Sequence, residues 1–490
     1  MPKRVLVFDF GASSARAMLC GYDGEKFKLE EIHRFPNTPV TENGHLRWDI
    51  DELFEQMKVG ISFGVFNGGF DAISIDTWGV DFGLTGKDGE LLEKPVHYRD
   101  ERTQGVPEEI FTRISPLELY EESGVLPQNI NTLFQLAALS MYDRNTLFRA
   151  EKMLMMPDLF AYFLTGEYRS EYTEATTTQL IEQRSCGWNI RLIEALGLPK
   201  RIFCPLIRPG ENYGELKYEL AEEFRCDQVP VIACPSHDTA SAVLAVPSTE
   251  EQFVFISCGT WTLFGTELKR PIATEEAMKM GLTNEGGYGD TSLLIKNIMG
   301  LWLIQESRRY YNENGGEYSF ADLEREAIAA GDFGSFIDPN DPLFTAPGDM
   351  PVRIAEYCRR TGQQAPGNVG EVMICIYRSL ACEFASALES IERLTGNKYN
   401  TIHMIGGGTK DALLCDMTAC AAGRRAVAGP VEATALGNGI SSLIALGEIK
   451  DVKQARRIII ESGLTKEYAP HDAEKWQNAL SVYKKVTGKM

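Results

Sequence analysis

The sequence contains no apolar stretch approaching the ~18–20 residues needed to span a bilayer as a helix, so no membrane partner is expected. Met1-Pro-Lys-Arg4 followed by Val5–Phe8 looks like the start of a signal peptide, but Asp9 breaks the apolar run too early, and a strand is expected there instead. Positive charge is scarce: 49 Lys and Arg stand against 69 Asp and Glu, a formal net charge of −20. That balance argues against DNA or RNA as the main partner and leaves room only for a local basic patch. Histidine is scarcer still. There are six, none in an HExxH frame, and the eleven cysteines are odd in number with no CxxC pair. A protein-held transition metal is therefore not expected, and reduced thiols in a cytoplasmic protein are. Two nucleotide signatures are absent as well: no G-x-x-x-x-G-K-[ST] occurs, and no G-x-G-x-x-G follows a strand.

What is present is a globular composition, 44% apolar and 24% charged, in a chain of 490 residues. That length exceeds one ordinary core and predicts two large domains. The first local signal is Val5-Leu-Val-Phe8, a small-residue turn Asp9-Phe-Gly-Ala-Ser-Ser14, and a second apolar run Ala15–Cys20, which together predict a β-hairpin. A related pattern recurs at Phe253–Ile256, Ser257-Cys-Gly-Thr260 and Trp261–Gly265. Aligning Gly11 with Gly259 sets the two about half a chain apart, which suggests two homologous halves; coincidence of two common hairpins is the alternative. Further strands are predicted at Ala72–Ile75, Val229–Ile232 and Thr401–Ile405, with helices over Asp51–Gly60, Pro235–Pro247, Glu371–Leu394 and Asp411–Ala422. Hairpins mixed with helices predict α/β layers. The linker-like Pro247-Ser-Thr-Glu-Glu251 places the boundary between domains 1–248 and 249–490.

Several segments carry chemistry. In Asp9–Arg16, Gly11 and the small side chains would let backbone N–H groups approach phosphate oxygens, Ser13 and Ser14 add hydroxyls, and Arg16 adds charge. Asp9 suits Mg²⁺ held through water, since that ion prefers a carboxylate and retained waters. The plain alternative is a tight turn with a surface arginine. Ser257–Thr260 is a second such turn, with Thr260 as donor. Gly406-Gly-Gly408, between a strand and a helix, suits close approach of a purine or an α-phosphate; a flexible loop is the alternative. Asp238 in Ser236-His-Asp-Thr239 could take the proton of an acceptor hydroxyl, or could merely cap a helix. Asp76–Asp81 and Tyr98–Thr103 combine carboxylates, arginines and aromatics of the kind sugars favour, with charged turns and a core tryptophan as the alternative.

Taken together, VFDFGASSARAML (7–19), IDTWGVDFGL (75–84), YRDERT (98–103), MMPDLFAYFLTG (155–166), EYTEATTTQL (171–180), SHDTASAV (236–243), SCGTWTLFG (257–265), NEGG (284–287), KNIMGLWLIQE (296–306), IGGGTKDALL (405–414) and GPVEATALGN (429–438) resemble, in order and along nearly the whole chain, the FGGY family of carbohydrate kinases. The resemblance implies two actin-like, ribonuclease-H-like domains with a catalytic cleft between them. It also implies transfer of the γ-phosphoryl group of ATP, assisted by Mg²⁺, to the 1-hydroxyl of a small ketose. Its DTWGVDF, EYTEATTTQL and KNIMGLW strings point to L-rhamnulose, with L-fuculose or D-xylulose, or a non-catalytic sensor on the same fold, as alternatives. By position it makes Asp238 the catalytic base and places Gly79, His237, Thr239 and Asn297 with it around the sugar. Ala12, Ser13, Ser14, Ala15, Arg16 and Thr260 correspond to phosphate contacts, Gln305 to a nucleotide contact, and Gly406, Gly407 and Gly408 to adenosine contacts. A monomer or weak homodimer is expected. There are two departures from the family pattern: Ala15, often glycine in relatives, and Thr409-Lys-Asp411 after the glycines, where Ser/Thr-Gln-Asn is the more familiar continuation.

Overall fold

The computed structural model describes residues 2–489. The chain forms two compact units, each discontinuous in sequence. One comprises the chain up to Ala245 with Glu267–Leu294 and Ala433–Ser462; the other comprises Val246–Thr266, Ile295–Glu432 and the chain from Gly463 onward.

The first unit is built on a six-stranded sheet. Its strands are β1 (Arg4–Phe10), β2 (Ser14–Tyr22), β3 (Phe27–Pro36), β4 (Ala72–Thr77), β5 (Asn212–Glu215) and β6 (Pro230–Ile232), in the order β5-β6-β4-β1-β2-β3. β1 pairs antiparallel with β2, as the hairpin pattern predicts, and parallel with β4, which in turn is parallel to β6. The three parallel neighbours are covered on both faces, and hence Val5-Leu-Val-Phe8 and Ala72–Ile75 are runs of buried residues rather than alternating ones. One face packs on the helix Ile50–Phe66 through Leu53, Met57 and Ile61, in a core shared with Phe8, Phe10, Trp48 and Phe160. The helix Ala433–Ala445 packs against β1, β2, β4 and the helix Asp238–Leu244. That approach is close enough that a Cβ on Gly437 would collide with the carbonyl oxygen of Ser241.

The second unit repeats the same wiring. β7 (Val254–Cys258) pairs antiparallel with β8 (Trp261–Leu268) and parallel with β9 (Thr401–Ile405); β9 pairs parallel with β10 (Arg425–Ala428), and β10 antiparallel with β11 (Lys466–Tyr468). β7, β8 and β9 therefore stand to one another as β1, β2 and β4 do. The 27-residue helix Val369–Thr395 begins where Asn368 accepts a hydrogen bond from the Glu371 N–H and ends at left-handed Gly396. All eleven cysteines are free thiols, and among the described residues no helix is long and apolar enough to cross a membrane.

Candidate active site

In the first unit, three carboxylates gather at the C-terminal ends of adjacent parallel strands, where open α/β sheets present their ligand sites. Asp9 on β1 and Asp76 on β4 are register partners. The Thr77 N–H donates to the Ser236 carbonyl at 2.9 Å, which draws the segment after β6 alongside and brings in Asp238. Arg16, opposite Asp9 in the hairpin, pairs with its carboxylate. Asp76 is wholly buried; Asn438 Nδ2 donates to its Oδ2 at 2.5 Å, and its Oδ1 has no partner. Burial drives its pKa well up, and Asp9 and Asp238 push the same way against the Asn438 bond.

Asp238 is the first residue of the helix Asp238–Leu244, and His237 occupies the cap position before it. The helix-cap alternative for Asp238 thus does not hold. Its side chain is 35% exposed, whereas those of its neighbours His237 and Glu285 are 11% and 13% exposed, so the base candidate is the one turned toward open space. Burial raises the Asp238 pKa, His237 opposes that rise, and Asp9 adds to it. Thr239 is buried, and its hydroxyl donates to Asp238 Oδ1 at 3.2 Å, so it acts on the carboxylate directly. The segment is held from behind by the fully buried Glu171. Its carboxylate accepts from the Ser236 N–H and hydroxyl at 3.1 and 2.7 Å while capping the helix Tyr172–Thr176.

Gly79 lies in a tight turn whose next residue, Val80, has φ of 70°, a strained value for a β-branched side chain. Three hydrogen bonds hold it there: its N–H donates to Thr177 Oγ1, and its carbonyl accepts from Thr132 Oγ1 and Gln135 Nε2. Asp81 is structural rather than sugar-facing. It is fully buried, and its oxygens are taken by Trp48 Nε1 (2.6 Å), Trp78 Nε1 (3.1 Å), the Tyr98 N–H (3.2 Å) and Gln135 Nε2 (3.1 Å). In the other segment, Asp100 is likewise engaged by the Leu46 and Arg102 N–H groups.

Burial raises the Asp81 pKa to about 6 in spite of those donors. The folded state therefore holds this proton more tightly than the unfolded one. The stabilisation this confers is fully present below the ordinary aspartate value of about 3.9 and is lost as pH rises through 6. Asp81→Asn, a neutral stand-in, should thus gain on the wild type by about 2–3 kcal/mol between roughly pH 4 and 7, on top of a constant loss from the mismatched donor. Urea unfolding of both proteins across that range checks this; a pH-independent difference would contradict it.

The hairpin turn at Ala12 to Arg16 is closed by the Gly11 N–H donating to the Ser14 carbonyl at 3.0 Å and braced by the Asn37 N–H donating to the Ser13 carbonyl. Ala12 and Ser13 are exposed at its tip and Ser14 is half-buried. Ala15 is wholly buried in the core, so its position serves packing and offers a ligand no surface. In the second unit, the matching turn is closed by the Gly259 N–H donating to the Trp261 carbonyl, and it docks on the start of the helix Trp302–Glu313 through the Leu301 and Trp302 N–H groups. That docking brings together two expected nucleotide contacts, as Thr260 Oγ1 donates to Gln305 Oε1 at 3.3 Å. The glycine turn lies against the same strand end: a Cβ on Gly408 would come within 2.6 Å of the Cys258 Cβ, Gly406 takes φ of 86°, and Gly407 is exposed with nothing near its would-be Cβ. Asn297, also in this unit, is half-buried with an Oδ1 that has no partner.

This geometry has relatives. The N-terminal domain profile of the FGGY family of carbohydrate kinases matches residues 4–245, and the C-terminal domain profile matches residues 254–446. The chain belongs to the FGGY family of carbohydrate kinases. This FGGY kinase is 41% identical over 485 residues to a rhamnulokinase of Bacteroides thetaiotaomicron, covering 99% of each chain. It is 42% identical over 471 residues to one of Halalkalibacterium halodurans, covering 96% of this chain and 99% of that one. Its fold matches the ligand-bound xylulose kinase of Lactobacillus acidophilus at a TM-score of 0.81 and 16% identity, over 99% of this chain and 98% of the other. A glycerol kinase of Plasmodium falciparum with ADP matches at 0.79 and 12% identity, over 100% of this chain and 98% of that one. The two-domain, actin-like α/β fold of sugar kinases is thereby established, and with it an ATP-dependent carbohydrate kinase.

Of the acids gathered here, Glu171 and Glu285 carried no assigned role in the sequence, and Asp76 entered only through the sugar-type segment Asp76–Asp81. Each opens or sits inside a string that signalled the family (DTWG, EYTEATTTQL, NEGG), which was the available clue. What was missing was distance: only the pairing of β1 with β4 and the bonds to Ser236 bring them to Asp238 and its neighbours.

Proposed function

We propose that this kinase transfers the γ-phosphoryl group of ATP to the 1-hydroxyl of L-rhamnulose, giving L-rhamnulose 1-phosphate and ADP in the cytoplasm. The observation that carries the substrate is the identity of 41–42% over nearly the whole chain with two rhamnulokinases. Phosphoryl transfer asks the protein mainly for positioning and charge, with one group placed to accept the acceptor's proton. Asp238 is that group: the sugar O1–H bond breaks toward its carboxylate as the O1–P bond forms and the bond from the γ-phosphorus to the β-phosphate oxygen breaks. His237, Thr239, Gly79 and Asn297 orient the sugar or the base. Partnerless Asn297 Oδ1 supports the reading, because a buried acceptor without a donor is suited to a hydroxyl ligand. Ala12, Ser13, Ser14 and Arg16 meet phosphate, Thr260 and Gln305 the nucleotide, and Gly406 to Gly408 the adenosine.

Mg²⁺ fits the donor set. The lone Asp76 Oδ1 beside Asp9 offers carboxylate oxygen of the kind a hard cation prefers, next to the Arg16 guanidinium that pairs with Asp9. Asp9 would hold it through water, with Arg16 keeping the carboxylate in place. When bound, the ion would neutralise phosphate charge.

The test is ATP-dependent phosphorylation of L-rhamnulose, L-fuculose and D-xylulose side by side. A site that hydrogen-bonds particular hydroxyls rejects analogues strongly, so kcat/KM for L-rhamnulose should exceed the others by about 10²-fold or more. Faster turnover of either other ketose would refute the assignment. Light scattering at micromolar concentration should show a monomer or a weakly associating dimer.

A further inference from the structure

His237 lies between two carboxylates. Its Nε2 is 3.5 Å from Asp238 Oδ1 and its Nδ1 is 3.1 Å from Glu285 Oε2. The second contact is an ion pair, and neither Nδ1 nor Oε2 has a hydrogen-bond partner. A neutral imidazole has no charge to pair with either carboxylate, whereas the imidazolium pairs with both.

Glu285 is not free to wander. It sits on the strand Leu282–Gly286, where the Asn284 N–H donates to the Gly124 carbonyl at 2.8 Å and the Gly286 N–H to Thr176 Oγ1 at 2.9 Å. A Cβ on Gly286 would press to 2.9 Å from the Tyr172 ring, so the strand is docked tightly on the helix Tyr172–Thr176 with Glu285 pinned between two anchored neighbours.

We infer that Glu285 is a positioning residue of the phosphoryl-transfer site, whose carboxylate holds the His237 ring through Nδ1 so that Nε2 stays turned to Asp238. The inference rests on Asp238 being the base. Burial by itself would lower the His237 pKa; Glu285, then Asp238 and Glu171, outweigh it and raise it to about 9. The resulting cation beside Asp238 favours the ionised base. The remaining groups near the ring do not substitute for Glu285. Glu171 is committed to Ser236 and Thr173, Thr173 Oγ1 accepts the His237 N–H, and buried Glu174 has its pKa driven well up by burial and by the charges of Asp158, Glu171, Asp238 and Glu285.

The test uses full-length Glu285→Gln, measured two ways. The first is kcat/KM for the sugar from about pH 5.5 to 10; the second is the imidazole ¹⁵N titration of His237, assigned by its disappearance in His237→Asn. In the variant the His237 midpoint should fall from about 9 by one pH unit or more, toward the ordinary value of about 6.5. The alkaline limb of activity should follow it down, while the acid limb should not move up, because below the variant's midpoint the imidazolium still stands beside Asp238. The loss should thus grow with pH, reaching about tenfold where His237 has become neutral only in the variant. A pH-independent loss, or an unmoved midpoint, overturns the inference. Glu285→Asp, which keeps the charge, should restore much of the midpoint, and Glu285→Gln added to His237→Asn should cost nothing further if Glu285 acts through the ring. If the wild type phosphorylates none of the ketoses, the substrate assignment fails while the ring titration still decides the pairing.

Discussion

Asp238→Asn is expected to lower kcat by about 10²–10⁴-fold, the usual range for removing a general base, with only a modest change in the sugar KM. Asparagine keeps the size of the side chain and an oxygen for the Thr239 hydroxyl, so the helix Asp238–Leu244 should be undisturbed. What it loses is the ability to accept a proton as O1 attacks. The contrast with Asp76 is informative, since that carboxylate is wholly buried and bonded to Asn438, whereas the Asp238 side chain is 35% exposed. Steady-state kinetics at saturating ATP checks the prediction, and a kcat within about threefold of wild type would rule out the base role.

The second large effect separates two adjacent glycines. Gly407 is exposed, with open space where a Cβ would go, while Gly408 is buried against Cys258 and Leu301. Gly407→Val should therefore fold with near-wild-type stability and yet raise the KM for ATP about tenfold or more, because the new side chain would stand where the adenosine is proposed to lie. Gly408→Val should instead destabilise the second unit by about 1–3 kcal/mol through overpacking, whether or not nucleotide is present. Thermal melts and ATP kinetics on the pair distinguish the two. An unchanged KM for ATP in a folded Gly407→Val protein would remove the glycine turn from the nucleotide site.

Much of the framework was legible. Both hairpins appear where apolar runs flank small-residue turns, and β9 spans the predicted Thr401–Ile405. The matching wiring around β1 and β7 agrees with the repeat suggested by aligning Gly11 with Gly259. The helix expected over Pro235–Pro247 is shorter, Asp238–Leu244, since the residues before it run extended beside β4 and its carbonyl at Ser236 is taken by Thr77. The segment holding Asp81 was read as sugar-favouring because carboxylates satisfy hydroxyls and a tryptophan packs on C–H faces, with a charged turn and a core tryptophan as the alternative. The fold turns the Trp48 and Trp78 indole N–H groups onto the Asp81 carboxylate instead and makes it a buried hub.

From the string of residues alone came the local elements, the family and the candidate base, because apolar periodicity, turn chemistry and short motifs are carried by neighbours in the chain. Tertiary structure alone decided which acids share one electrostatic environment. Residues 9, 76, 171, 238 and 285 are far apart in sequence, and whether a carboxylate is ionised, neutral or committed to a protein donor depends on through-space distances and burial, which no spacing along the chain encodes.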